Sequence, residues 1–569
     1  MKKIVGLIVG VFLSASAASA EYWADAAGTG TGSKSGADPN NLCDGPAGTG
    51  CAATVGGDIV YLCNPTTSIT IGRGGSSSDR RINYDTRCPG GVPMTIDGAD
   101  GVDVCMTVQA SYVRVYGIEG DPWDRDSGGL TEVKNCRERG IMVRTALQHV
   151  LIADFEVHDI DGTSQNDQRG AGVIIDNVTS VGTTTPVSGV VFDSIYTHDN
   201  GAFGVATSSS ISGYGARFRK IRADNNGRLW HGGGMFFHPY RTTVTSGWTN
   251  LASGVSQRAS VSSTDDITQV FVVTTETHLV YDGDCVLGSG VPEPAAGHFC
   301  YHVGTAATGY LQVNVDGSTS ANSVEIQHTR GPYTGVVVED STADWNRASD
   351  GTHGAGIQPD DLSGPMIVRR ASAAFNDGPG FKAFRQNGTA FDSIAAWGNG
   401  RDPTNVDGDR AGFASDQSIG VVVRHATLVG NETFGAQGGS GNAQIDNAII
   451  AFNRRYGARA VRGALTTNYT DYFGNIEGSS TSVSGGTMTN NNALALDPYF
   501  KGGRRAAILS DLCLAANSPL RGQGQYKGSN VLDLNRRYFD NPPDLGALTN
   551  CDGRAASASR APVTSRPPN

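Results

Sequence analysis

The chain is punctuated by a glycine followed by alternating positions, apolar first. Gly140, Gly172, Gly204, Gly234, Gly356, Gly380, Gly412, Gly435 and Gly457 open GIMVR, GVIID, GVATS, GMFFH, GIQPD, GFKAF, GFASD, GAQGG and GARAV. Asn200, Asn376, Asn431 and Asn453 each stand four residues before such a glycine. The glycine spacings are 32, 32, 30, 122, 24, 32, 23 and 22. Units of roughly 20–35 residues, built of short strands and Gly/Asn turns, predict a solenoid whose stacked turns bury one continuous core. The interval of 122 predicts an insertion between two consecutive turns.

Side chains alternate between the two faces of a strand. The residue after each glycine, Ile141, Val173, Val205, Met235, Ile357, Phe381, Phe413, Ala436 and Ala458, forms an inward apolar stack. The next column, Met142, Ile174, Ala206, Phe236, Gln358, Lys382, Ala414, Gln437 and Arg459, faces outward. So do Arg144, Asp176, Ser208, His238, Asp360, Phe384 and Asp416, two positions further on. Charge gathers in the outer columns near the middle of the coil, where a groove is expected. Phe236 and Phe384 are expected to be exposed on its floor, Phe237 to point inside, and Asn376 and its relatives to stack as an internal amide ladder.

Residues 1–20 carry Lys2 and Lys3, an apolar run from Ile4 to Leu13, and Ala18-Ser19-Ala20. This is the pattern of a secretory signal peptide, so a secreted or periplasmic protein starting near Glu21 is expected. Ten cysteines then suggest up to five disulfides. Cys43 with Cys51, Cys285 with Cys300, and Cys513 with Cys551 are the expected pairs, while Cys63, Cys88, Cys105 and Cys136 remain to be distributed. The 77 glycines and 17% charged residues fit a turn-rich all-β architecture. The formal charge of −11, or −13 without Lys2 and Lys3, disfavours a nucleic-acid partner. An acidic substrate is compatible with it, because binding depends on the local groove. No second apolar run is long enough to cross a bilayer, and a monomer is expected.

The resulting plan has coil at 21–241 and 346–480, a β-rich module at 242–345, a C-terminal capping segment at 481–551 and a disordered tail at 552–569. Several segments carry a specific likeness. E-Y-W-A-D-A-A-G-T-G-T-G, G-G-D-I-V-Y-L-C, P-M-T-I-D-G and A-S-Y-V-R-V-Y-G-I-E stand at the start. D-P-Y-F, A-A-N-S-P-L-R-G-Q-G and P-D-L-G-A-L stand near the end. Together they resemble the opening and closing segments of secreted proteins of the pectate-lyase-like superfamily. The resemblance implies an all-β, right-handed parallel β-helix with an inserted small β-rich domain. Within the insertion, F-C-Y-H-V and G-Y-L-Q-V-N-V-D-G-S resemble a small β module of carbohydrate-active β-helix proteins. The insertion leaves the coil after His238-Pro239-Tyr240-Arg241 and returns just before the stretch from Asp350 to Asp361, so it is expected to wall or roof the groove.

Cleavage of a uronic-acid polymer by β-elimination needs three things: neutralisation of the carboxylate, a base for the adjacent C–H, and help for the departing oxygen. Lys382, Arg385 and His238 are the candidate catalytic residues; Arg241, Tyr240, Gln358, Phe236, Phe384 and Asp416 are candidate substrate contacts. N-D-G-P-G-F-K is similar to a turn in a pectate lyase family that sets a lysine base beside an aspartate-built calcium site. That resemblance implies Lys382 as base and calcium as cofactor, with Asp360 and Asp361 as ligands. Two other readings stay open. One is a glycoside hydrolase using Asp360, Asp361 or Asp416 as its carboxylates; the other is a non-catalytic carbohydrate-binding or surface protein.

Overall fold

The computed structural model describes residues 20–26, 43–44, 51 and 54–548, apart from 121, 124–129, 145–146, 163–169, 177–186, 208–212, 230–231, 239–240, 245–247, 251–254, 260–266, 276, 285–293, 303–309, 317–318, 320, 322–323, 325, 331–334, 348–353, 361–364, 405–409, 505, 526–531 and 537–542. The signal-peptide segment and the tail at 552–569 therefore lie outside the described residues.

Short β-strands follow one another up a coil and sort into two long stacks. One is a twelve-stranded sheet running from Ile69–Ile71 to Gly478–Val483; the other has seventeen strands. Every pairing in the twelve-stranded sheet is parallel, and its register follows the glycine alignment. Ile141 pairs with Val173, Val173 with Val205, Val205 with Met235, and Met235 with Ile357. Phe381, Phe413, Ala436 and Ala458 continue that row. The whole row is buried in one apolar cluster shared with the inner face of the seventeen-stranded sheet. The chain is thus a parallel β-helix, right-handed as parallel returns to one sheet nearly always are.

Two ladders tie the coils together. Asn200, Asn226, Asn346, Asn376, Asn399, Asn431, Asn453 and Asn475 stack so that each Nδ2 donates to the next Oδ1 at 2.8–3.1 Å. Each backbone N–H from Asn200 to Asn453 donates to the same neighbouring oxygen, so buried amides are satisfied from coil to coil. On the outer face of the seventeen-stranded sheet, Asp193 pairs with Arg219, Glu339 with Arg369 at 2.6 Å, and Asp392 with Arg424 at 3.0 Å.

Strand Gly233–Phe237 pairs directly with Ala355–Pro359, so the residues between them are expelled from this sheet. Strands from Arg241–Val244 to Ile326–Arg330 form a separate eight-stranded sheet, mostly antiparallel, around Val270, Val272, Leu279, Phe299, Leu311, Val313 and Ile326. The coil resumes earlier than the expected residue 346. Val336–Asp344 pairs with Arg217–Asp224 on one side and Met366–Ala374 on the other. Its alternation reads equally well as part of a β-rich module, and the first glycine landmark after it, Gly356, comes a strand later.

The C-terminal part also differs in detail. Strands Gly478–Val483 and Thr487–Asn491 still belong to the coil, pairing with Tyr456–Val461 and Ala464–Phe473. The chain beyond them packs along the flank of the helix, laying Phe500, Leu512, Leu514, Leu520, Leu545 and Leu548 against Ala374, Ala395, Trp397, Val429, Ile449 and Ala451. Polar contacts pin it there: Ser393 Oγ donates to the Leu532 carbonyl at 2.6 Å, and the Ala547 N–H donates to Thr427 Oγ1 at 2.9 Å.

Cys63 is bonded to Cys88 and Cys105 to Cys136, which distributes the four cysteines left open. Cys51, Cys300 and Cys513 are disulfide-bonded too, and none of the described cysteines is free. Cys285 and Cys551, and the side chain of Cys43, lie outside the described residues. Disulfides of this number are the mark of an oxidising, extracytoplasmic compartment. No helix among the described residues is long and apolar enough to cross a membrane.

Candidate functional site

The outer face of the twelve-stranded sheet changes character halfway along. Met142, Ile174, Ala206 and Phe236 form one row in strand register. With Ala171, Ala202 and Phe203 they make a buried apolar cluster on the outside of the coil. Phe236 is 8% exposed and stacks on Phe203 at 4.6 Å. It is therefore not the exposed sugar platform the alternation suggests, because side chains of neighbouring coils cover it. Phe237 is fully buried inside, as expected.

One strand further the same row turns polar. Gln358 pairs with Phe236, and Lys382, Ala414, Gln437 and Arg459 follow it. Gln358 is 3% exposed and Lys382 9%, although both point away from the coil's core. Amides are seldom this deeply buried and lysines hardly ever, so both are unusual on a wall that stacking alone would leave apolar or solvated.

The second outer row carries His238, Asp360, Phe384 and Asp416. Phe384 pairs with Asp416 across adjacent strands. Asp360 is 5% exposed. His238 stacks on Phe236 at 5.9 Å, and its backbone N–H donates to Thr207 Oγ1 at 2.9 Å. The Lys382 ammonium sits 5.5 Å from the Phe384 ring centre, and the Arg385 guanidinium sits 4.6 Å from the same ring on turning out of the strand with φ 51°. Arg385 Nε donates to Gln417 Oε1 at 2.7 Å. Lys382, Phe384, Arg385, Asp416 and Gln417 thus form one cluster, next to the strand that carries Gln358 and leads into Asp360.

The eight-stranded sheet reaches this cluster. Phe271 lies 5.2 Å from the Arg385 guanidinium, on a different ring from Phe384, and His278 Nε2 donates to the Gln417 carbonyl at 3.0 Å. Burial pushes the His278 imidazole down to about 4, Arg385 adding to the effect against that hydrogen bond, so His278 is neutral at physiological pH. Phe271, His278 and Gln417 were not among the residues singled out from sequence; only the position of the insertion beside the charged columns signals them. Gln437 and Arg459 were signalled more directly, as members of the Lys382 row.

Tyr240 and Asp361 lie outside the described residues, as does the side chain of Arg241. Among the described residues no group of three or more His, Cys, Asp or Glu side chains is placed to hold a metal ion. Asp360 with what is described around it falls short of the six to eight oxygens calcium takes.

No family model matches the chain, and no curated protein does. Among solved structures it is similar to pectate lyase Pel9A, at 14% identity over 94% of this chain and 97% of that one, with a TM-score of 0.36. It is similar to the periplasmic alginate epimerase AlgG, at 10% identity over 78% of each chain with a TM-score of 0.38. The lacto-N-biosidase of Eubacterium ramulus is similar at 8% identity over 84% of this chain and 68% of that one, with a TM-score of 0.36. The class that the stacked coil defines is the parallel β-helix. What its groove does has to come from the groove's own residues.

Proposed function

We propose that this is an exported polysaccharide lyase that cleaves a uronic-acid-containing polymer by β-elimination in the groove over Gln358 and Lys382. The observation that carries the reading is the pair itself: a lysine and an amide side by side, both buried, on the outer face of the coil. A uronate chain lying over them meets cations from Lys382 and Arg385 and an amide donor from Gln358.

In this reaction Lys382 Nζ takes the proton from the carbon next to the uronate carboxylate. The C–H electron pair becomes the new C=C bond, the glycosidic C–O bond breaks, and the departing sugar oxygen takes up a proton. Arg385, gripped between Phe384 and Phe271 and tethered to Gln417, places a fixed positive charge beside the carboxylate. His238, on the far side of Asp360, is the candidate donor to the leaving oxygen. No step above depends on calcium.

The test is ultraviolet absorbance of the protein with a panel of uronate polysaccharides, with calcium and with chelator. A rise on one polymer, from the conjugated double bond, supports the lyase reading and names the substrate; retention of the rise in chelator assigns the charge to the side chains. A second reading has one observation in its favour. Asp360 and Asp416 stand in one outer row two strands apart, about 10 Å between backbones, close to the separation of roughly 6.5–9.5 Å between the carboxyls of an inverting glycosidase. New reducing ends without absorbance would favour it.

A further inference from the structure

Strands Ile267–Val272 and Thr277–Asp284 of the eight-stranded sheet form one antiparallel hairpin, and Phe271 and His278 stand directly opposite each other near its closed end. Side chains alternate between the faces of a strand. Val270, Val272 and Leu279 point into that sheet's own core, so Phe271 and His278 share its other face. Their rings meet edge to face at 4.9 Å, with Phe271 fully buried and His278 nearly so. From that face they reach the coil, Phe271 at the Arg385 guanidinium and His278 at the Gln417 carbonyl. The two contacts converge on one group. Gln417 is the single residue between strands Phe413–Asp416 and Ser418–Val429, and its side chain accepts from Arg385 Nε at 2.7 Å. The Arg385 backbone N–H donates to the Asp416 carbonyl at 3.0 Å, one residue before Gln417. Because a carbonyl only accepts, His278 Nε2 carries the hydrogen. The neutral ring adds no second positive charge beside Arg385.

Resting on the lyase reading above, we propose that this hairpin of the inserted sheet completes the active site, and that His278 is a positioning residue which acts through Gln417 on Arg385. By holding the Gln417 carbonyl, His278 fixes the corner from which the Gln417 side chain grips Arg385, while Phe271 braces the guanidinium itself. His278 touches neither the substrate nor the proton that moves. What it supplies is preorganisation: a cation already aimed at the carboxylate is worth more in the transition state, where the charge there grows, than one that must be ordered first.

The test is kcat and KM of the full protein on the responsive uronate polymer, for His278→Phe, His278→Gln and Phe271→Leu, each alone and combined with Arg385→Gln, with a thermal melt of every variant. His278→Phe keeps a ring and removes the donor; it lowers kcat about tenfold, the scale of one hydrogen bond, and moves KM by no more than about twofold. His278→Gln, whose amide nitrogen can donate to the same carbonyl, recovers most of that loss. In the Arg385→Gln background His278→Phe costs nothing further, because the group it positions is gone. Phe271→Leu behaves in the same way and carries the test should His278→Phe not fold. Wild-type constants for His278→Phe and Phe271→Leu overturn the proposal and leave the lyase reading standing. So does an equal loss with and without Arg385, or a His278→Gln protein as slow as His278→Phe, since either outcome marks a residue that serves the fold alone. If the wild type forms no unsaturated product on any uronate polymer, the lyase reading falls and this role with it.

Discussion

A Cβ placed on Gly380 would lie 2.8 Å from the Nδ2 of Asn399. The same atom would lie 2.8 Å from the carbonyl of Gly412. Glycine recurs once per coil because the stacked asparagine amide occupies the space a side chain would take. Gly356 stands in the same relation to Asn376, at 2.9 Å. The two punctuation marks of the sequence are therefore one device.

Gly380→Ala should destabilise the fold by about 1–3 kcal/mol, the usual cost of overpacking a tight interior. Gly72→Ala is the control, since a Cβ there meets nothing within 4 Å. Chemical denaturation of both variants checks it: equal midpoints would mean the ladder yields freely.

Asp471 is fully buried where the coil ends, with Oδ1 accepting the Leu496 N–H at 2.8 Å and no hydrogen-bond partner found for Oδ2. Burial pushes its carboxyl up to about 7, against that N–H and with help from Asp497. Its folded value lies above its unfolded one, so its contribution is complete at acid pH and is lost as pH rises to about 7, at about 1.4 kcal/mol per unit. Asp471→Asn keeps the acceptor and removes the charge. It should raise the melting temperature at pH 8 and leave it nearly unchanged at pH 4; a loss of stability at pH 8 would contradict this.

His158 and His198 stack at 4.8 Å on adjacent coils. His198 is held by Asp199 at 2.7 Å and Glu156 at 2.9 Å. Burial alone would push its imidazole down, but hydrogen bonds and charge from those two carboxylates outweigh it and raise the value. With the folded value above the unfolded one of about 6.5, the imidazolium's contribution is present below that pH and fades as pH climbs through the folded value. His198→Gln should therefore cost more stability near pH 6 than at alkaline pH, as read by thermal melts across that range. A constant deficit would mean that packing, not charge, holds the stack.

The coil and its inner row were legible because glycine and a strict two-residue alternation mark every turn. Asn226, Asn346 and Asn399 were less visible, because the turns after them differ in length and they do not stand four residues before a glycine. The covering of Phe236 could not be read either, since Phe203, Ala171 and Ala202 come from neighbouring turns. The flank packing of Leu512, Leu514 and Leu520 has no periodicity to announce it. Lys382, Gln358 and Asp360 were visible as polar positions in otherwise apolar rows, but their burial was not, and the contacts of Phe271 with Arg385 and of His278 with Gln417 exist only once the eight-stranded sheet is placed.

The central claim is that Lys382 removes a proton from a uronate. The direct measurement is the initial rate of ultraviolet absorbance on the responsive polymer, for the wild type and for Lys382→Ala, with circular dichroism and binding measured on both. The account predicts a loss of at least about a hundredfold in kcat, the scale of a general base, with an unchanged spectrum and polymer still bound. A Lys382→Ala protein that forms the unsaturated product at the wild-type rate would contradict it.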